Sequence, residues 1–280
     1  MSRNQNRLGE NNKPQNTSPA GAFNPLDFVA PTEFVELPSE GQGYPDSHPL
    51  HNQSTVEIRY MTAKDEDILT SQTLLKKGVA IERFLQNILV NKDIDSKSLL
   101  IGDRNAILVA ARISGFGSEY HATVNCTSCG TPNKVCFDLS NSVLKNKVLS
   151  EDLEYQFTSN GTYQVKLPFS GFTIEVKLMD GEDENYIAKY LTSLRDNDLP
   201  ENLLTTQYKR IIKSIEGYTD REVINKFIDN MPTPDSRHLR LVNKLATPDI
   251  EIKEPVTCKK CSHKEEVEVP FGTDFFWPDR

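Results

Sequence analysis

The residues best suited to chemistry are two Cys-x-x-Cys pairs: Cys126 and Cys129 in VNCTSCGTPNKVCFDL, and Cys258 and Cys261 in VTCKKCSHKEEVEVPF. Each pair offers two thiolates from one tight turn, and a structural zinc ion takes four ligands in a tetrahedron. Both segments follow one plan: a β-branched approach, the pair, a polar turn, then a strand carrying apolar residues. The backbone amides of such turns can donate to the sulfurs and spread the charge of a four-thiolate site. The expectation is one structural Zn2+ held jointly by Cys126, Cys129, Cys258 and Cys261. Two separate redox pairs are the competing reading. It fits less well, because neither pair lies between a strand and a long helix in a thioredoxin-like pattern. His263 is a further candidate ligand, but four cysteines suffice and its position after the knuckle faces solvent. Cys136 alternates with Val135 and Phe137 on an expected strand and reads as a buried packing residue.

The chain has no G-x-S-x-G, no glycine-rich phosphate loop with lysine and no H-E-x-x-H pair. His48 and His51 fall in a proline-rich stretch, His121 on a strand and His238 in a charged helix. The acidic cluster of Asp180, Glu182, Asp183 and Glu184 reads as the solvated first turn of a helix, where the dipole favours carboxylates; so does the run from Lys64 to Asp67. No catalytic residue, no organic cofactor and no small-molecule substrate is expected. The chain does not read as an enzyme.

Cys129 and Cys258 lie much further apart than the halves of a compact ribbon, so the residues between them form an insertion whose ends return together. The segments LEYQFT, TYQVKLPF and FTIEVKLMD alternate around turn residues and predict an antiparallel meander with a hairpin at Asn160-Gly161. Helices are expected over Gly181 to Leu194, Pro200 to Glu216, Asp220 to Asn230 and Pro234 to Ala246. Short strands flank each cysteine pair: 118–124 and 134–138 around the first, 250–256 and 265–270 around the second.

On the N-terminal side, residues 1–27 hold little to bury and read as a disordered arm. From Phe28 to Leu50, four prolines and two glycines predict an irregular extended lead-in packed by Phe28, Phe34, Val35, Leu37 and Tyr44. Thr55 to Thr62 alternates like a half-buried strand. A helix start at Thr62, with Asp65, Glu66 and Asp67 in its first turn, runs to a stop at Gly78. A second helix covers Val79 to Val90, and a third runs from a cap at Asp103 to a GFG exit.

Among 280 residues, Lys plus Arg total 32 against 40 Asp plus Glu, a formal charge of -8. That opposes non-specific nucleic-acid binding, which needs cations to displace counterions from phosphates. No apolar stretch is long enough to span a bilayer, and the N-terminus lacks the apolar centre of a signal peptide, so no membrane contact and residence in cytosol are expected. Five cysteines in that setting fit four ligands and one bystander.

The run YMTAKDEDILTSQTLLKKGVAIERFLQNILV, continued by LLIGDRNAILVAARISGFGSEYHATVNCTSCG, resembles the baseplate hub protein family of T4-like tailed bacteriophages, the T4 bacteriophage base plate protein family. The lead-in EFVELPSEGQGYPDSHPL matches that family's F-V-x-L-P-S start and its Gly, Tyr and Pro turn, and the ending FGTDFFWPDR is similar too. The resemblance is strongest over residues 33–130. It implies a non-enzymatic protein of the contractile-tail baseplate hub, built in the host cytoplasm with other baseplate and tail hub proteins as partners, and either retained in the virion or released after assembly.

The whole reads as α+β: a disordered arm (1–27), an N-terminal helical and strand region (28–117), the first half of a split four-cysteine zinc ribbon (118–139), a β-meander plus helical insertion (140–248), and the second half with an aromatic tail (249–280). Partner surfaces are expected on the arm, on Thr62 to Gly78 and on Phe275, Phe276 and Trp277, with packing of the tail against its own domain as the equal alternative for the last. A zinc-ribbon nucleic-acid-binding regulator is the alternative, supported by Lys259, Lys260 and Lys264 and opposed by net charge.

Overall fold

A computed structural model describes residues 30–144, 154–270 and 273–276. The expected arm, Phe28 and Trp277 lie outside the described residues. Those described form a mixed α/β structure of eight α-helices and several small antiparallel sheets.

The lead-in is more regular than its prolines predict. Strand β1 (Thr32–Glu36) pairs antiparallel with β2 (Thr55–Arg59), Val35 opposite Val56. Val35, Leu37 and Tyr44 are buried as expected, whereas Phe34 is 71% exposed because it alternates with Val35 and faces the other way. The helix predicted from Thr62 to Gly78 is two helices, α1 (Ala63–Thr70) and α2 (Gln72–Lys76), broken where Ser71 turns extended. Helix α3 (Ala80–Ile88) buries Phe84, Leu85 and Ile88 along one face. Helix α4 (Ile101–Phe116) ends at Gly117, whose φ of 86° favours glycine.

Helix α4 starts before Asp103, so Asp103 is not its cap. Its carboxylate is fully buried and accepts from the Ser39 amide (2.9 Å), the Ser39 hydroxyl (2.6 Å) and the Tyr44 hydroxyl (2.7 Å). The proline-rich lead-in is thereby fastened to the start of α4.

Beyond α4 come the hairpin strands β3 (Glu119–Asn125) and β4 (Pro132–Asp138), then β5 (Val143–Leu144). The predicted meander is present as β6 (Gln156–Phe157), β7 (Thr162–Lys166) and β8 (Thr173–Lys177). Helix α5 (Gly181–Asp196) follows, then α6 (Leu203–Ile211). The helix expected to reach Glu216 stops there, and β9 (Ile212–Ile215) joins β8 as the fourth strand of the meander sheet. Its β-branched residues suit a pleated edge better than a final helical turn, and Ile212 and Ile215 are buried there. Helices α7 (Arg221–Asp229) and α8 (Thr233–Ala246) lead to β10 (Ile250–Glu251), β11 (Lys253–Thr257) and β12 (Lys264–Glu268).

One device recurs. Asp65, Asp103, Asp183 and Asp235 are each the third residue of their helix and each fully buried. Asp65 takes a bidentate Arg59 and the amide of Asn87. Asp183 takes Lys177 and Arg210, and Asp235 takes the backbone amides of Phe169 and Ser170. In the first-turn clusters Glu66, Asp67, Glu182 and Glu184 are exposed, as expected of solvated carboxylates, whereas Asp65 and Asp183 depart from that expectation. Helix N-termini do favour these charges, but Asp65 and Asp183 are also turned inward to neighbouring segments.

Phe275 and Phe276 are buried as well, packed edge-on against Tyr120 and Phe84 with ring centroids 5.2 Å apart. These two rings are core, not exposed anchors for a partner, because burying them satisfies their apolar area within the chain. Arg112, also fully buried, donates to the carbonyls of Phe275, Gly117 and Glu119, tying the chain's end to the exit of α4 and the start of β3.

Candidate metal centre

Two hairpins carry the cysteines. β3 and β4 pair from Glu119–Asp138 to Asn125–Pro132, and β11 and β12 from Lys253–Glu268 to Thr257–Lys264. The second hairpin returns beside the first because its base is fixed to α4. A Cβ on Gly102 would lie 2.0 Å from the Pro248 carbonyl oxygen, so only glycine allows this approach. Asn105 donates to Asp249 at 3.2 Å, β10 pairs with β5, and Tyr120, Phe137, Ile252 and Val269 enter the same apolar core.

The turns at the hairpin tips are alike. The Cys126 amide donates to the Thr131 carbonyl and Gly130 donates back to Cys126; Cys258 with His263 and Ser262 repeats the pattern. The residue after each second cysteine has positive φ, 69° at Gly130 and 57° at Ser262.

All four sulfurs lie within 4.8 Å of one another. Cys126 Sγ is 3.7 Å from Cys261 Sγ, and Cys129 Sγ is 3.6 Å from Cys258 Sγ, so each short pair joins the two halves. A tetrahedron with Zn–S bonds of about 2.3 Å has edges of about 3.8 Å, while a disulfide needs about 2.05 Å. The spacing fits a tetrathiolate metal site, with Cys126 and Cys258 buried and Cys129 and Cys261 exposed. His263 is not among the residues whose ligand atoms meet there.

Proton affinities diverge within the cluster. The Cys261 and Lys260 amides lead in holding Cys258 down to about 6. Thr131 lowers Cys129 through its hydroxyl and amide. Cys261 is pushed up to about 12: the His263 amide favours its thiolate, but the neighbouring Cys129, Cys258 and Cys126 together with burial outweigh it. Sulfurs this close cannot all ionise without a shared cation.

Two residues that the sequence did not single out join the halves. Asn133, buried in β4, accepts from the Lys259 amide at 3.1 Å and reaches the Cys258 sulfur at 3.7 Å. Glu265 in β12 does the reverse, accepting from the Thr127 amide at 3.2 Å and its hydroxyl at 2.5 Å. Asn133 and Glu265 stand at the same offset from the first cysteine of their own pair, so the clasp is reciprocal.

Cys136 is exposed, contrary to its expected burial. The register sends Phe137 into the core and leaves Cys136 opposite His121 on the outer face, near Glu119.

The T4 bacteriophage base plate protein family model matches residues 30–277, most of the chain. The chain belongs to that family. Comparison with curated proteins and with solved structures gave no match. This baseplate family member is therefore a structural protein of the phage tail, and family membership favours a non-enzymatic role. Among the described residues, no helix is long and apolar enough to cross a membrane.

Proposed function

We propose that the chain serves the baseplate hub, as subunit or transient assembly factor, through contacts with other baseplate and tail proteins, and that one zinc ion at Cys126, Cys129, Cys258 and Cys261 clamps its shape. The observation that carries the clamp is that each short sulfur pair spans the two halves. Zinc there would close the insertion at its neck and fix the relative placement of the surfaces it presents. Apparent binding free energies of about 10 to 16 kcal/mol in zinc-finger peptides are ample for that task. A nucleic-acid role is disfavoured by charge, since Lys259, Lys260 and Lys264 are followed by Glu265, Glu266 and Glu268.

The test is purification of the tagged chain from infected cells. Co-purification with other baseplate proteins, lost in the Cys126→Ser/Cys258→Ser variant, is the expected result. Recovery alone, or with salt-sensitive DNA and no tail protein, would contradict the hub role.

A further inference from the structure

Away from the cysteines, α5, α6, α7 and the β8–β9 edge surround a cavity of about 390 Å³. Five cations line it: Lys177, Lys209, Arg210, Lys213 and Arg221. They converge in a chain whose formal charge is -8.

Carboxylates account for only some of them. Asp183 takes Lys177 and Arg210, and Asp229 takes Lys209 at 2.7 Å. Arg221 donates to the Ile212 carbonyl at 2.9 Å. Among the described residues, no carboxylate pairs with Lys213 or Arg221. Burial first, then the nearby Lys177 and Arg221, lower the proton affinity of Lys213, against a smaller raising effect of Asp183.

The wall beside these charges is aromatic. Tyr186 and Tyr190 stack with centroids 6.3 Å apart and planes 3° from parallel, and both remain substantially exposed. The Arg210 guanidinium lies 4.6 Å from the centre of the Tyr186 ring. Tyrosine and arginine are among the side chains enriched at the anchoring positions of protein contacts.

We propose that this cavity binds an acidic segment of a partner protein, carboxylates meeting Lys213 and Arg221 while the segment lies along Tyr186 and Tyr190. Carboxylates suit the site better than a polyphosphate, because Asp180, Asp183 and Asp229 already offset the other cations and would repel a denser anion. The assignment rests on the reading that the chain works by contact with other proteins.

The test is fluorescence anisotropy of a dye-labelled octaglutamate peptide with the full chain at low ionic strength. Saturable binding is expected, weakened about tenfold by Lys213→Gln, retained by Lys213→Arg and unchanged by Lys244→Gln at an exposed position of α8. If thermal unfolding shows Lys213→Gln misfolded, Tyr190→Ala carries the same expectation of weakening. No saturable binding, or an equal loss in Lys244→Gln, overturns the proposal. Inorganic tripolyphosphate displacing the peptide at lower concentration than free octaglutamate would assign the cavity to phosphate and overturn it too. A chain that ignores octaglutamate yet co-purifies with baseplate proteins loses this assignment alone. One that binds the peptide but co-purifies with none keeps the cavity and loses the hub role.

Discussion

The side chain of Asn133 accepts a hydrogen bond from the backbone amide of Lys259, fastening the first cysteine hairpin to the second across the sulfurs. Glu265 makes the converse bond to Thr127. Supporting groups around metal ligands commonly set affinity by about 10- to 100-fold. Asn133→Ala is expected to weaken zinc affinity within that range, read by chelator competition. Glu265→Ala should weaken it less, because its bonds to Thr127 are open to solvent whereas Asn133 is buried. Equal affinity in all three proteins would remove the clasp from the site's design.

The buried helix-start aspartates should respond oppositely to pH. Burial raises the proton affinity of Asp65, but hydrogen bonds from Arg59, Thr62 and Asn87 outweigh it and hold the group down at about 2. Its folded form binds fewer protons than the unfolded chain, so its stabilisation is complete above the ordinary carboxylate range and fades as pH falls toward 2. Burial dominates at Asp103 and pushes it up despite the bonds from Ser39 and Tyr44, so its ionisation opposes folding as pH rises through that range.

Asp65→Asn is accordingly expected to destabilise by about 3 kcal/mol at neutral pH, since Arg59 loses its partner, and to reduce the acid sensitivity of unfolding. Asp103→Asn leaves no cation behind and should cost about 1 kcal/mol. Denaturant unfolding at neutral and acid pH measures both.

Much of this was legible where the signal is local. The cysteine pairs, their flanking strands, the Asn160-Gly161 turn and the glycine exit of α4 are written in a few adjacent residues. What was not legible depends on distant partners. Asn133 and Glu265 are ordinary strand residues until the two hairpins meet. Ile212 to Ile215 leave the helical pattern because β8 offers an edge. Phe34 and Cys136 each sit in an alternating run whose phase only the paired register decides, and both face outward. Asp103 looks like a cap from its spacing, but Ser39 and Tyr44 draw it inside.

Gly102 tests how the insertion's ends are brought together. Gly102→Ala drives a methyl group into the backbone of Pro248 and Asp249, and is expected to destabilise by about 3 kcal/mol or more and to loosen the second hairpin. Gly130→Ala meets open space and pays only for its positive φ, about 1 kcal/mol. Thermal unfolding and hydrogen exchange across β11 and β12 distinguish the two. Similar losses would mean that the close approach at Pro248 relaxes readily.

The most direct measurement is zinc content by elemental analysis of protein purified without added metal, alongside Cys126→Ser and Cys258→Ser. About one zinc per chain, lost in either variant, is expected if the two halves share one tetrathiolate site. No zinc, or zinc retained when either half is broken, would contradict the clamp.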